Sequence, residues 1–382
     1  MKLAIPTLAA AIGASVFGAG SASADDDYHG ATIIFARGLS LYRTSATGKG
    51  ETEVATLAAK ATVRALRTDA AGKILLADVG GTWSWMPLDG STKSLTDLPC
   101  ADGPAQLAED GLCVLCRANQ GASLIVNLAT GKTTPIDLPI EGARIAGTGA
   151  DRKLVWADHD GVWTASPRDV KATTKVAPTP PLRGFLPSPD GSRALGVYAD
   201  TIYIDAHHTT PADVLMNFAL DGEGAHRKSI KGSVPVEWSH DAQWALVQDG
   251  ASACITKASG GQYKCWKGYT AASISPDGRW ALVLGNRDGS KKQTAAKSGK
   301  TGQSSKTNKK QPEPIPAPAI DEAEDAPHDD SAPADVAVPP PTGPLSLFRT
   351  QLEGPFTASP ALVVRSVDGA AVWVPASGEP SD

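Results

Sequence analysis

Short apolar runs separated by turn residues make up most of this chain. Runs such as Thr32–Arg37 and Ile74–Asp78 are rich in β-branched, aromatic and aliphatic residues, and Gly, Asp, Ser and Thr cluster between them. This pattern is typical of strands joined by tight turns. Beyond the N-terminal segment the sequence has no long apolar stripe with the helical period of about 3.6 residues. We therefore predict an all-β fold with little helix.

One turn-and-strand motif recurs along the chain. It is sharpest at Ser275–Leu284, where Ser-Pro-Asp-Gly leads into an apolar run, and it returns as Ser188–Leu195 and, degraded, as Ser239–Val247. Proline presets φ at the second turn position, Ser and Asp bond the local backbone, and Gly adopts a conformation that other residues resist. A turn and strand repeated at intervals of about 40–50 residues indicates a β-propeller.

Seven such units can be counted, so we predict a β-propeller of seven blades with about four antiparallel strands each. Counting alone leaves six or eight blades open. The last apolar stretch, Ala361–Val374, is interpreted as a hairpin about Asp368-Gly369. A ring closed by strands from both ends of the chain would explain why the first unit is short.

An insertion interrupts the seventh unit. Residues 287–343 are rich in Lys, Ser, Pro and Ala and lack apolar periodicity, and the run Leu345–Thr350 after them closely repeats Leu39–Thr44. Such a segment buries too little apolar surface to offset the entropy of ordering it. We predict one propeller domain, residues 31–286 and 344–376, with a disordered insertion at 287–343 inside its last blade.

The N-terminus has the pattern of an export signal. Lys2 precedes the apolar run Leu3–Phe17, and Ala22–Ala24 is a small-residue cleavage site. We predict a signal peptide at residues 1–24 and an exported protein, periplasmic or extracellular after cleavage near Ala24. No later segment offers the roughly 18 apolar residues of a membrane span. The formal net charge of −5 gives no general attraction to nucleic acid or to anionic membranes.

Cysteine usage fits export. Of the five cysteines, Cys254 and Cys265 flank a Ser259-Gly260-Gly261 turn, and a turn at Ser259-Gly260 would place them directly opposite on paired strands. We predict a disulfide between them. Cys113 and Cys116 form a CxxC in an apolar strand rather than at a helix start, so we favour a disulfide from Cys100 to Cys113 or Cys116 over a redox site.

Residues suited to other chemistry are sparse. Asp158, Asp160, His207 and His208 are weak candidates for metal ligands, and for each pair a surface loop is the favoured interpretation. The chain lacks a phosphate-binding loop and the G-x-S-x-G motif of α/β-hydrolases. We predict no catalytic residue and no cofactor.

The copies at Ser188–Leu195 and Ser275–Leu282 resemble the WD-like repeats of the TolB family and of prolyl oligopeptidase propellers. The likeness extends weakly over Ala31–Val374. It implies a propeller that serves as an exported protein-interaction platform. The chain departs from both families, since neither the N-terminal α/β domain of TolB proteins nor the hydrolase motif of the peptidases is found.

We therefore expect an exported, non-enzymatic propeller that binds a protein or polymer at one face, with another exported or envelope protein as partner. One alternative is a hydrolase or lyase whose acidic, His or Arg side chains converge in the central channel, and another is a metal- or ligand-binding propeller. Recurrent aspartates at similar blade positions are interpreted as turn residues; they are Asp69, Asp110, Asp190, Asp241 and Asp277. The sequence leaves the oligomeric state open.

Overall fold

A computed structural model describes residues 30–57, 62–118, 121, 123–138, 143–203, 209–220, 226–230, 233–260, 263–286, 345–352 and 359–376. Within these ranges the chain forms 28 strands and one short 3-10 helix, Gly149–Asp151. No helix among these residues has the length and apolar character needed to cross a membrane.

The strands follow one another with few interruptions. In chain order they are β1 (Thr32–Arg37), β2 (Ser40–Ser45), β3 (Thr52–Thr56), β4 (Val63–Thr68), β5 (Ile74–Val79), β6 (Thr82–Pro87), β7 (Thr96–Asp97), β8 (Ala105–Leu107), β9 (Cys113–Arg117), β10 (Ser123–Asn127), β11 (Thr133–Ile136), β12 (Arg144–Ala146), β13 (Lys153–Ala157) and β14 (Val162–Ser166). The second half contains β15 (Asp169–Ala177), β16 (Gly184–Pro187), β17 (Arg193–Tyr203), β18 (Thr209–Ala219), β19 (His226–Ile230), β20 (Ser233–Trp238), β21 (Trp244–Asp249), β22 (Ser252–Lys257), β23 (Tyr263–Lys267), β24 (Tyr269–Ile274), β25 (Trp280–Asn286), β26 (Leu345–Gln351), β27 (Ala361–Val367) and β28 (Ala371–Val374).

These strands form seven four-stranded antiparallel sheets, which are the blades of a β-propeller. Blades 2 to 7 each take four consecutive strands, from β4–β7 to β24–β27. Blade 1 has the order β28-β1-β2-β3. The seven-blade count predicted from the repeats is confirmed.

Closure of the ring joins the two ends of the chain. β28 pairs with β1 in the register Ile33↔Trp373, and the innermost strands touch from β24 to β28 and from β28 to β4. The ring is thus closed by strands from both ends, which accounts for the short first unit, but the predicted hairpin about Asp368-Gly369 is wrong. Among the described strands, β27 pairs with β26 alone, in blade 7, and the chain then crosses to blade 1. A glycine turn between two apolar runs has the same sequence pattern in a hairpin and in a crossing between blades.

Residues 287–344 lie between two adjacent paired strands. β25 and β26 pair along their whole length, from Trp280↔Gln351 to Asn286↔Leu345. The insertion therefore lies within blade 7, as predicted. The predicted disorder of the insertion and the predicted signal peptide both stay predictions, because their residues lie outside the described ranges.

The core lies between blades. Consecutive residues of a strand point to opposite faces of the sheet, yet Ile33, Ile34 and Phe35 are all fully buried, because each face packs on a neighbouring blade. This explains why the middle strands of blades are continuous apolar runs rather than alternating ones.

Candidate functional site

The repeated turns lie at one end of the propeller, where the innermost strands finish. We call this the turn end, and the opposite end, where those strands begin, the entry end. In blade 7, Ser275 Oγ donates a hydrogen bond to Asp277 Oδ1 at 2.5 Å and accepts one from Trp280 N at 2.8 Å. The arrangement recurs in blades 5 and 6, at Ser188 and Asp190 and at Ser239 and Asp241. These contacts support the interpretation of the aspartates as turn residues.

The second turn position differs between blades. It is proline in blades 5 and 7 but His240 in blade 6. Blade 3 has the same turn without a serine, since Ala108 N donates to Cys113 O at 2.9 Å and Gly111 N donates to Ala108 O at 2.9 Å. Its second position is Glu109. In blades 3 and 6, an ionisable side chain stands at the position that proline occupies in blades 5 and 7.

The two ionisable side chains meet across the central channel. Oε2 of Glu109, from blade 3, lies 2.7 Å from Nδ1 of His240, from blade 6. The other oxygen of Glu109 pairs with Nη2 of Arg144, the first residue of β12 in blade 4. Glu109 and Arg144 are only 8% and 9% exposed. We call these three residues the turn-end cluster; they connect three blades at the centre of the ring.

The charges of the turn-end cluster support each other. Burial disfavours ionised Glu109, but the charge of Arg144 and the hydrogen bond with His240 outweigh burial and lower the pKa of Glu109 to about 2. Burial also disfavours charged His240, and the hydrogen bond and negative charge of Glu109, helped by Glu237, raise the pKa of His240 above its usual value. The Glu109 carboxylate is thus held between Arg144 and a histidine whose charged form it favours.

The raised pKa of His240 predicts a stability that depends on pH. The contribution of His240 is complete below the pKa of the unfolded chain, about 6.5, and is lost as pH rises through the higher pKa of the folded state. We expect the free energy of unfolding to fall between pH 6 and pH 9, and to fall less in His240→Gln. Urea unfolding at both pH values measures this difference. The exposed His159 provides the control, since His159→Gln should keep the wild-type pH dependence. The prediction is contradicted if the free energy of unfolding changes equally with pH in wild type and in His240→Gln.

A small pocket lies in the channel on the entry side of the turn-end cluster. It has a volume of about 130 Å³ and is lined only by innermost strands and the segment leading into β28. Arg64 and Arg67 of β4 and Glu237 of β20 supply its charged groups, and small residues such as Ala271 and Ala370 supply the rest. We call this the channel pocket.

The two arginines of the channel pocket have different surroundings. Arg64, whose side chain is 45% exposed, forms ion pairs with Asp78 and Asp102. Arg67 has a buried Nε without a hydrogen-bond partner. Within the described part of the chain no carboxylate forms an ion pair with Arg67, and Glu237 acts on it through space.

Glu237 is held by the neighbouring blade. Its Oε2 accepts a hydrogen bond from Ile274 N of β24 at 2.7 Å. Burial raises the pKa of Glu237 above its usual value, against the opposing effects of this hydrogen bond, one with Ser273 and the charge of Arg67.

Of the residues that the sequence marked as metal candidates, the structure describes Asp158 and Asp160, which lie on one turn. Asp158 Oδ1 accepts turn hydrogen bonds from Asp160 N at 2.8 Å and Gly161 N at 3.1 Å. Donor atoms of Asp158, His159 and Asp160 lie within 4.8 Å of one another on an exposed turn. His207 and His208 lie outside the described residues. Metal binding at either place stays a prediction, which metal analysis of the purified protein tests.

The structure contains two disulfides. Cys254 and Cys265 face each other in the β22–β23 pair and are bridged, and Cys100 is bridged to Cys116. Cys113 is free and buried. Burial raises the pKa of the Cys113 thiol to about 11, so it is not a reactive thiolate.

Sequence reasoning did not predict the turn-end cluster or the channel pocket. The available signal was the degraded copy of the turn, in which His240 replaces proline. The turn that contains Glu109 does not match the repeated motif, because Ala108 replaces its serine. Arg67 and Arg144 are single polar residues in strand patterns, and nothing local indicates that they face one channel.

Comparisons with known proteins identify no family for this chain. No protein-family model matches the chain, and no curated protein matches it. Among solved structures, an oligogalacturonate lyase in complex with manganese is 11% identical, with 65% of this chain and 80% of that chain covered and a TM-score of 0.47. A chain of a nidogen/laminin complex is 12% identical, with 61% and 93% covered and a TM-score of 0.40.

Proposed function

We propose that this protein is an exported, non-enzymatic β-propeller that binds another exported or envelope protein, or a polymer, at the entry end of its channel. The observation that carries the proposal is the channel pocket. Its volume of about 130 Å³ is well below the roughly 300–1,000 Å³ of sites that enclose a whole small ligand. A pocket of this size suits one group projecting from a larger molecule that rests on the propeller face.

The entry end also has an exposed apolar residue. Val234, 59% exposed, lies near the start of β20, two residues before the pocket residue Val236. An exposed apolar side chain at this position adds contact area for a partner that covers the pocket. Export is supported by the two disulfides, which persist in oxidising compartments.

The second candidate function is an enzyme with its site in the channel, and the convergence of Glu109, Arg144 and His240 favours it. These groups are paired with one another, however, and Glu109 with a pKa of about 2 exchanges protons poorly near neutral pH. The cluster is better suited to holding three blades together than to acid–base chemistry, so binding is the preferred function.

Site-specific crosslinking tests the binding face. A photoreactive amino acid at Val234 should give a discrete adduct with another protein in the cells that export this chain. The matched control is Leu112, also aliphatic and 48% exposed, which follows the blade 3 turn at the turn end. An adduct from position 112 alone, or from neither position, would contradict binding at the entry end.

A further inference from the structure

We propose that the channel pocket binds the free C-terminal carboxylate of a partner polypeptide, with Arg67 as the residue that recognises it. This deepens the proposed function, on which it rests, by naming the group that enters the pocket. The inference follows from one unpaired cation, the size of the pocket and the small residues that line it.

An anionic ligand would stabilise the positive charge of Arg67. An arginine remains protonated at any physiological pH, and a buried charge is costly unless it is paired. Arg64 has two carboxylate partners at the rim, whereas Arg67 has a buried Nε without a hydrogen-bond partner. The Oε2 of Glu237 accepts a hydrogen bond from Ile274 N of the next blade, and within the described residues Glu237 acts on Arg67 through space without forming an ion pair with it. A bound carboxylate would complete the pairing, since the guanidinium fork matches the two carboxylate oxygens.

The monovalent charge of a carboxylate suits this pocket better than a phosphate dianion. Glu237 lines the same pocket as Arg67, and each added negative charge on the ligand is repelled by any ionised Glu237. Arg64 is already paired with Asp78 and Asp102, so Arg67 alone remains for the ligand, and one such cation matches an anion with a single charge.

The volume of the pocket favours a peptide end over an acidic sugar. A cavity of about 150 Å³ accommodates a group the size of benzene, roughly six heavy atoms, and the channel pocket has about 130 Å³. The terminal carboxylate, Cα and a small side chain of a peptide are within this size. A hexuronate ring, with about twice as many heavy atoms, is not. Ala271, Ala272, Ala370 and Ala371 line the pocket and leave room for a small last residue only.

Calorimetric titration of the full protein with matched small probes tests the proposal. The probe is N-acetyl-glycyl-alanine as the free acid, and its C-terminal amide is the neutral control. We expect the acid to bind at least tenfold more tightly than the amide. Glucuronate, the acidic-sugar arm, and inorganic phosphate should bind more weakly than the peptide acid. Equal affinity for acid and amide, or stronger binding of glucuronate or phosphate, would overturn the assignment.

Variants identify the residue responsible. Arg67→Gln should abolish the preference for the acid, and Arg168→Gln, which removes one exposed arginine from blade 4, should retain it. Glu237→Gln should strengthen binding of the acid several-fold, because it removes the competing carboxylate. Ala271→Leu fills the pocket without changing charge and should weaken binding, which keeps the test decisive if Arg67→Gln folds poorly. A persistent preference in folded Arg67→Gln would refute the role of Arg67.

Failure of this proposal can be distinguished from failure of the proposed function. If no peptide acid binds but the Val234 crosslink forms, the propeller binds its partner at the entry end without inserting a C-terminus. If the peptide acid binds and no crosslink forms, the pocket is as proposed and the partner does not cover Val234.

Discussion

Arg144→Met is expected to lower the free energy of unfolding by about 3–5 kcal/mol, the usual cost of breaking a buried ion pair by removing one partner. The substitution leaves Glu109, only 8% exposed, without the cation that offsets its burial. Methionine retains much of the volume of the arginine stem. The loss of stability can therefore be attributed to the missing charge rather than to a cavity. Urea unfolding at pH 7, with wild type and variant in parallel, measures the effect.

Two further variants separate the possible causes. Arg144→Met combined with Glu109→Gln should recover most of the loss, because removing both charges of a buried pair is often nearly neutral. Arg183→Met removes an arginine that is more than half exposed and whose side chain pairs with Asp213, and it should cost no more than about 1 kcal/mol. If Arg144→Met costs as little as Arg183→Met, the turn-end cluster is not structural, and the case for channel chemistry becomes stronger.

The sequence predicted the fold because the chemistry of the turns is local. Ser275, Asp277 and Gly278 lie within four residues of one another, and their hydrogen bonds are those of an isolated turn. The spacing of the turns along the sequence then predicted the number of blades. The pairing of β28 with β1 joins residues more than 300 positions apart, and the local pattern about Asp368 predicted a hairpin there instead.

The site could not be predicted in the same way. Glu109, Arg144 and His240 come from blades 3, 4 and 6, and they meet only because the ring places those blades around one channel. A repeat pattern marks the positions that blades share, whereas this site uses the positions where blades differ. The replacement of proline by His240 is therefore the most informative departure from the repeat.

Removal of the Cys254–Cys265 disulfide, in Cys254→Ala/Cys265→Ala, is expected to lower the free energy of unfolding by about 3 kcal/mol. The bridge closes a short loop, since the two cysteines are 11 positions apart, and a loop of about 15 residues contributes roughly 3 kcal/mol by constraining the unfolded chain. Thermal or urea unfolding under oxidising conditions measures the loss. The control is Cys113→Ala, which removes the free cysteine and should leave the effect of added reductant unchanged.

The second bridge, Cys100–Cys116, spans 16 positions and should contribute a similar amount. Together the two bridges would supply about 6 kcal/mol, which is comparable with the whole net stability of many domains, about 5–15 kcal/mol. A chain made and kept in a reducing cytosol would lose this contribution and fold marginally, so the disulfides support export as the proposed route to a stable protein. Reductant should therefore lower the melting temperature of wild type clearly, and it should have less effect on Cys254→Ala/Cys265→Ala because one of the two bridges is already missing. A wild-type melting temperature that reductant leaves unchanged would show that the propeller does not need an oxidising compartment.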